Sequence, residues 1–267
     1  MNWLMGLLAS SLIAGLAYWK RSLTFSGVLG AILIGTILYG AGNIGWYGVL
    51  LAFFLSSTLL TKWRQASKAK WEAGYEKTGR RDFGQVMANG GLAAFLCLIA
   101  SLYSNGIWYA GFLGVMSTVT ADTWATEIGS LSKQAPRSIL TGKKATPGTS
   151  GAISLLGLLA SAAGGCLIGL VGVVFNQGPV YLSYSFLLIV ICTISGLCGS
   201  LLDSLMGATL QANYQCKKCG NRMEKRQHCN QPTELVHGYY LINNDLVNFI
   251  SSIGGAVINI GLINLIR

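Results

Sequence analysis

The sequence predicts an all-α polytopic membrane protein of about eight transmembrane helices, with its active face at the cytoplasmic side. Three observations lead there. Only 10% of the 267 residues are charged and 52% are hydrophobic, whereas soluble domains carry about 25% charged residues. Apolar runs recur along the chain at lengths near the roughly 20 residues that a helix needs to cross hydrocarbon. The basic residues gather in alternate connections, as cytoplasmic loops of membrane proteins do. The 35 glycines and a mean hydropathy of +0.52 fit the same class, because small residues let membrane helices approach closely.

Taken in order, the spans are read at 2–19, 22–40, 44–61, 87–103, 106–121, 151–175, 180–202 and 246–266, within one membrane domain covering 1–267. Met1-Asn-Trp-Leu-Met-Gly6 lacks the basic start of a cleaved signal, so the first run reads as a retained span. The connections at Ala41–Gly45, Ser104–Gly106 and Asn176–Pro179 are short and uncharged. Those at 20–21, 62–86, 122–150 and 203–245 hold eighteen of the nineteen Lys and Arg residues, leaving Arg267 alone. The charge bias puts these four connections in the cytoplasm and both termini opposite. An odd number of spans would break the alternation. All nine acidic residues fall on the same side.

The net charge of +10 therefore faces anionic lipid and anionic substrates as a one-sided field. None of the usual nucleic-acid motifs accompanies it, so no nucleic-acid partner is expected. Segment 62–86 is basic, with Trp63, Trp71 and Tyr75 interleaved. It reads as an interfacial amphipathic helix, or as a polar linker with aromatic anchors. Cys97, Cys166, Cys192 and Cys198 lie in apolar runs and read as small core hydrophobes.

The polar residues at the span ends are the candidates for chemistry, since a carboxylate at a membrane edge is costly unless it is used. Asp122 and Glu127 follow the fifth apolar run. On a straight helix they would point about 140° apart. A common site therefore predicts a break in the helix near 122–127, facing Asp203 and Asp245. Arg80-Arg81-Asp82 opens the fourth span, and Asp82, Gln85 and Asn89 form one polar stripe. The alternative for that stripe is hydrogen bonding between helices.

Lys143-Lys144-Ala-Thr-Pro-Gly148-Thr149-Ser150 precedes the sixth span. Its Gly-Thr-Ser turn would expose N–H groups to an anion at a helix start. Gly199, Ser200, Asp203, Ser204 and Gly207 share one helical face, and Asn243-Asn244-Asp245 with Asn248 opens the last span. Carboxylates and amides are hard oxygen ligands, suited to Mg²⁺ on substrate phosphates. Together these features predict metal-assisted phosphoryl transfer.

One loop differs in chemistry. Cys216-x2-Cys219, followed by His228-Cys229, matches a small structural zinc knuckle. The fourth ligand is either His228 or His237, because adjacent ligands at 228 and 229 are awkward. Reduced, unliganded thiols are the alternative.

The segments Arg80–Gly91, Ala121–Gly129, Thr146–Ser154, Gly199–Ala208 and Asn243–Asn248 resemble, in that order, an integral membrane family. It includes the chloroplast phytyl-phosphate kinase of tocopherol synthesis and the animal transmembrane protein nineteen. The resemblance implies a kinase that moves the terminal phosphate of a nucleoside triphosphate, typically CTP, to an isoprenyl monophosphate such as phytyl or geranylgeranyl phosphate. On that resemblance Asp122, Glu127, Asp203 and Asp245 hold Mg²⁺ or face the phosphoryl group. Arg80, Arg81, Lys143, Lys144 and the Gly148–Ser150 turn neutralise phosphates, with Asp82, Asn89, Asn244 and Asn248 beside them. The Cys/His loop occurs in some members and not others, which argues against a catalytic role. Alternatives on similar physics are a nucleotidyltransferase making an activated lipid and a cation-dependent transporter. The uncharged opposite loops argue against transport.

Overall fold

Among the described residues, eight long helices account for the spans. They are α1 (Asn2–Trp19), α2 (Phe25–Ile37), α3 (Ile44–Lys62), α4 (Phe83–Leu102), α5 (Gly106–Gly129), α6 (Leu155–Phe175), α7 (Ser185–Thr209) and α8 (Asn244–Asn264). A π-turn at Leu38–Gly42 extends α2. The computed structural model describes residues 2–65, 67, 74, 76–77, 79–103, 105–175 and 185–265. Part of the 62–86 segment expected as an interfacial helix, including Trp71 and Tyr75, lies outside the described residues, as does the turn at 176–179.

Helix starts are set by short polar side chains that satisfy orphan N–H groups. Thr24 accepts from Gly27 N at 3.1 Å, Asn43 from Gly45 N at 2.7 Å and Asn243 from Leu246 N at 3.1 Å. Asp82 and Gln85 form a reciprocal capping box that opens α4.

Seven of the eight helices are long and apolar enough to cross a membrane. The remaining one, α5, is less apolar and is enclosed by the others: every residue from Tyr109 to Ala121 is buried. It packs against α3, α4, α6, α7 and α8. Such enclosure demands close backbone approach. A Cβ on Gly114 would lie 2.5 Å from Gly255 O of α8, and one on Gly164 of α6 would lie 3.1 Å from Ala121 Cα. Hydroxyls on α5 turn back to their own helix, as in Thr120 to Met116 O at 2.6 Å and Thr123 to Val119 O at 2.8 Å.

The expected break at 122–127 does not occur. Helix α5 runs unbroken to Gly129, and Ser130 N still bonds Thr126 O at 3.2 Å. Polar residues after Ala121 suggest an exit into water, but here α6 and α7 continue to cover the helix. Gly129 packs on Gly157 of α6, whose Cα would lie 3.2 Å from an added Cβ.

The polar connections meet at one end of the bundle. Lys62 Nζ donates to Lys20 O, Thr24 N bonds Arg81 O at 3.0 Å, and Glu224 N bonds Gly74 O at 2.9 Å. Short strands order these loops. β1 (Arg137–Ser138) pairs antiparallel with β2 (Ala152–Ile153). In the loop after α7, β3 (Asn213–Gln215) lies between β4 (Arg222–Met223) and β7 (Glu234–His237), while β5 (Gln227–His228) and β6 (Gln231–Pro232) form a separate hairpin.

The packing around α5 gives a direct test. Gly114→Ala should lower the thermal midpoint in detergent, by about 1–3 kcal/mol of overpacking. Gly15→Ala, where an added Cβ meets nothing within 4 Å, should be neutral or slightly stabilising. Equal midpoints for the two variants would contradict the close approach.

Candidate active site

At the polar end of the bundle a cavity of about 320 Å³ opens between α5, α6, α7, α8 and the loops. That is the lower end of the size range of small-ligand sites. Both Asp122 and Glu127 line it, as do Asp203, Asp245, Arg81, Asn89, Asn244, Asn248 and the turn Gly148–Ser150.

The two α5 carboxylates point to different neighbours, as the helix geometry requires. Ser200 of α7 donates to Asp122 Oδ1 at 3.5 Å, and Ser161 of α6 donates to Ser200 at 3.2 Å. Thr61 of α3 donates to Glu127 Oε1 at 2.5 Å. A straight helix does not leave either acid outside the cavity, because the cavity wraps around the end of α5. Asp203 is 9% exposed and accepts from Ser251 of α8 at 2.9 Å. Asp122 and Asp203 are close enough to interact electrostatically. Among the described residues neither forms an ion pair with Lys or Arg. Nearby, Asn248 Oδ1 is buried without a hydrogen-bond partner among the described residues.

Arg81 also lines the cavity. Its guanidinium lies over Phe53 and Phe54, at 5.4 and 5.9 Å from the ring centroids, and interacts electrostatically with Glu127. Its Nη1 is buried with no hydrogen-bond partner among the described residues. Arg80 turns away, donating to Leu23 O at 3.2 Å and lying over Tyr18.

Asp245 forms an ion pair with Lys77 at 2.5 Å, and Lys77 also pairs with Asp82 at 3.0 Å. Burial opposes the charge on Lys77, but the two carboxylates outweigh it and hold its pKa above that of free lysine. Burial likewise opposes the charge on Asp82. The Gln85 amide N–H and Lys77 outweigh that, so its carboxyl stays below the usual range.

Gly148–Ser150 does not begin a helix. It is a turn between β1 and β2, with Thr149 N bonded to Thr146 O at 3.1 Å, and α6 starts only at Leu155 under a Ser154 cap. The helix-dipole argument therefore does not apply at this turn. Gly151 fixes its position: φ is +77°, and a Cβ would lie 2.7 Å from Ser204 O of α7. Lys143 and Lys144 are exposed on the same loop and do not line the cavity.

Two lining residues carry no signal in the sequence. Lys77 is one of many lysines in a basic stretch. Glu224 belongs to the Cys/His loop, yet it reaches the cavity, accepting from Ser150 at 3.1 Å and from Gln211 Nε2 at 2.8 Å. Burial pushes its carboxyl above the usual range. In that loop Cys216, Cys219, His228 and Cys229 bring their ligand atoms within 4.8 Å of one another. His237 is elsewhere, with Nε2 3.0 Å from Ala208 O.

The family model of an integral membrane protein, DUF92, matches residues 8–256. The chain belongs to the DUF92 family. Among curated relatives, this DUF92 chain is 33% identical to Protein PGR of Arabidopsis thaliana over 265 residues, covering 91% of this chain and 89% of that one. It is 29% identical to an uncharacterized membrane protein of Methanocaldococcus jannaschii, covering 90% and 86%. It is 25% identical to the chloroplastic Protein VTE6 of Arabidopsis thaliana, covering 89% and 64%. No solved structure matches.

The Lys77 bridge predicts a pH dependence. A lowered carboxylate stabilises above its unfolded value and loses that contribution as pH falls. A raised lysine stabilises below its unfolded value and loses it as pH rises. The thermal midpoint of wild type minus that of Lys77→Met should therefore be fullest between roughly pH 4 and pH 10 and narrow on both sides. A difference that stays constant across both limits would contradict the bridge.

Proposed function

We propose that this DUF92 protein transfers the terminal phosphate of a nucleoside triphosphate, CTP in the first instance, to an isoprenyl monophosphate, giving the prenyl diphosphate and the nucleoside diphosphate. The observation that carries this reading is one cavity lined both by Asp122 and Asp203 and by Arg81. Among the described residues Asp122 and Asp203 form no ion pair with Lys or Arg, and the buried Arg81 Nη1 has no hydrogen-bond partner. Buried groups left so are costly unless a ligand completes them. The carboxylates suit a divalent cation, and the guanidinium suits phosphate. Similarity to Protein VTE6, together with the kinase resemblance of the motifs, favours the same chemistry.

The residues fit Mg²⁺ by donor type: Asp122, Asp203 and Asn248 Oδ1, the last without a hydrogen-bond partner among the described residues, are hard oxygens lining one cavity. Bound there, Mg²⁺ would neutralise charge on the triphosphate. The chain's own groups do the rest. Ser200 and Ser251 hold the two carboxylates in place through their hydroxyls. Arg81, backed by Phe53 and Phe54, meets the charge that spreads over the transferring phosphoryl oxygens. An oxygen of the prenyl phosphate forms the new P–O bond as the bond to the leaving nucleoside diphosphate breaks. That oxygen is already anionic near neutral pH, so no general base is required. Asp245 and Asp82 fix Lys77 at the rim. Lys143 and Lys144 are exposed on the loop whose ends line the cavity, where they raise the local concentration of anions.

The lipid tail has a path. A second cavity, of about 60 Å³ and lined by Ala14, Ala31, Ile34, Leu50, Phe54 and other apolar groups, shares Arg81 and Asn89 with the first. In this reading the tail runs there and its phosphate sits at Arg81. The charged face is then cytoplasmic, with both termini opposite.

Purified protein given phytyl or geranylgeranyl monophosphate, Mg²⁺ and each of CTP, UTP, GTP and ATP should form prenyl diphosphate with at least one pair. Asp122→Asn and Asp203→Asn should each lower kcat/KM by about 100-fold or more. Release of pyrophosphate would point to nucleotidyl transfer, and no turnover with any pair would sink the proposal. Ala31→Phe should raise KM for the long-chain substrate more than for a short-chain one. Equal effects on both would remove the tail from that cavity.

A further inference from the structure

Outside the cavity, the densest group of metal-ligating side chains is in the loop after α7. We propose that Cys216, Cys219, His228 and Cys229 bind one structural Zn²⁺, and that the knuckle closed by this ion straps Glu224 onto the Ser150 turn. The four ligand atoms lie within 4.8 Å of one another, with His228 Nδ1 3.5 Å from Cys219 Sγ and 3.2 Å from Cys229 Sγ. Tetrahedral zinc with ordinary bond lengths sets nitrogen and sulfur about 3.5 Å apart. The turn after Cys216 has the usual shape of a Cys-x2-Cys knuckle: Gly220 N bonds Cys216 O at 2.8 Å and Gly220 has φ +72°.

The adjacency of His228 and Cys229 has a backbone solution. Cys229 and Asn230, with φ of +52° and +60°, form the two-residue loop between β5 and β6. That is the left-handed pair a tight primed hairpin turn requires. Asn accepts this conformation readily and Cys does not. The unfavourable cysteine is explained if its sulfur must point back toward His228 Nδ1. Four protein ligands leave no open position, so the role is structural and not catalytic.

The consequence reaches the cavity through Glu224, the residue directly after β4. Its carboxylate accepts from Ser150, Gln211 and Glu76 N, the last at 3.3 Å, and its own N–H bonds Gly74 O. One side chain thus joins three loop segments. The strands carrying it are two to four residues long. Strands this short are marginal without another constraint. The exposed Lys217–Glu234 pair at 3.5 Å adds little.

The zinc site stands independently of the kinase reading; only an effect of the strap on turnover would rest on it. Tag-free full-length protein purified in detergent should carry about one zinc per chain by mass spectrometry. Metal should persist in His237→Ala and be lost in His228→Ala and in Cys216→Ser/Cys219→Ser. No stoichiometric zinc in the wild type, or equal zinc in wild type and the double variant, would overturn the site. Because misfolding of the double variant would also lose zinc, wild type stripped of zinc and reloaded with Co²⁺ provides a second reading. Tetrahedral d–d bands with thiolate charge transfer support the ligand set, and their absence overturns it. For the strap, hydrogen exchange at Thr149 and Ala152 should quicken about tenfold or more on zinc removal and in Glu224→Ala, with α5 and α7 unchanged. Unchanged exchange at the turn would overturn the strap.

Discussion

Helix α5 can be enclosed only because its neighbours come within backbone distance of it. Glycines at 114, 164 and 255 leave no room for side chains between the helices. This closeness removes lipid and water from thirteen consecutive residues, Tyr109 to Ala121. It also carries the helix, still regular, into the polar end of the bundle, where Asp122 and Glu127 emerge. A loosely packed α5 would have no need for those glycines and no means of holding a carboxylate at a fixed depth.

The charges at that end are sorted by the same packing. Lys77 is neutralised by Asp82 and Asp245, and Arg80 turns to the Leu23 backbone and the Tyr18 ring. Facing the cavity, beside Glu127 and Glu224, are a carboxylate pair anchored by serine hydroxyls and a guanidinium backed by phenylalanines. Among the described residues neither Asp122 nor Asp203 forms an ion pair with Arg81. Each keeps its capacity for something between them, which is what a phosphate with its counter-ion offers.

Much of this was legible from residues. Charge-poor runs and one-sided lysines located the spans and the polar face, and Arg80-Arg81-Asp82 marked the entry of the span that the Asp82–Gln85 capping box opens. Three features were not legible. The polar end of α5 looked like an exit into water, since sequence does not say that α6 and α7 travel with it. The Gly148–Ser150 turn looked like a helix start, but the pairing of β1 with β2 is non-local and delays α6 to Leu155. Glu224 reaches the cavity through tertiary contacts with Ser150 and Gln211, and nothing in its own neighbourhood marks it.

The enclosure of α5 also bears on how the protein enters a bilayer. A helix with no apolar face to spare gains little from lipid alone, and α5 is less apolar than the other seven. In chain order it precedes α6, α7 and α8, three of the helices that cover it. Its insertion is therefore tied to theirs. Truncations after α5 would remove α6 and α7, the helices that surround Asp122 with Ser161 and Ser200.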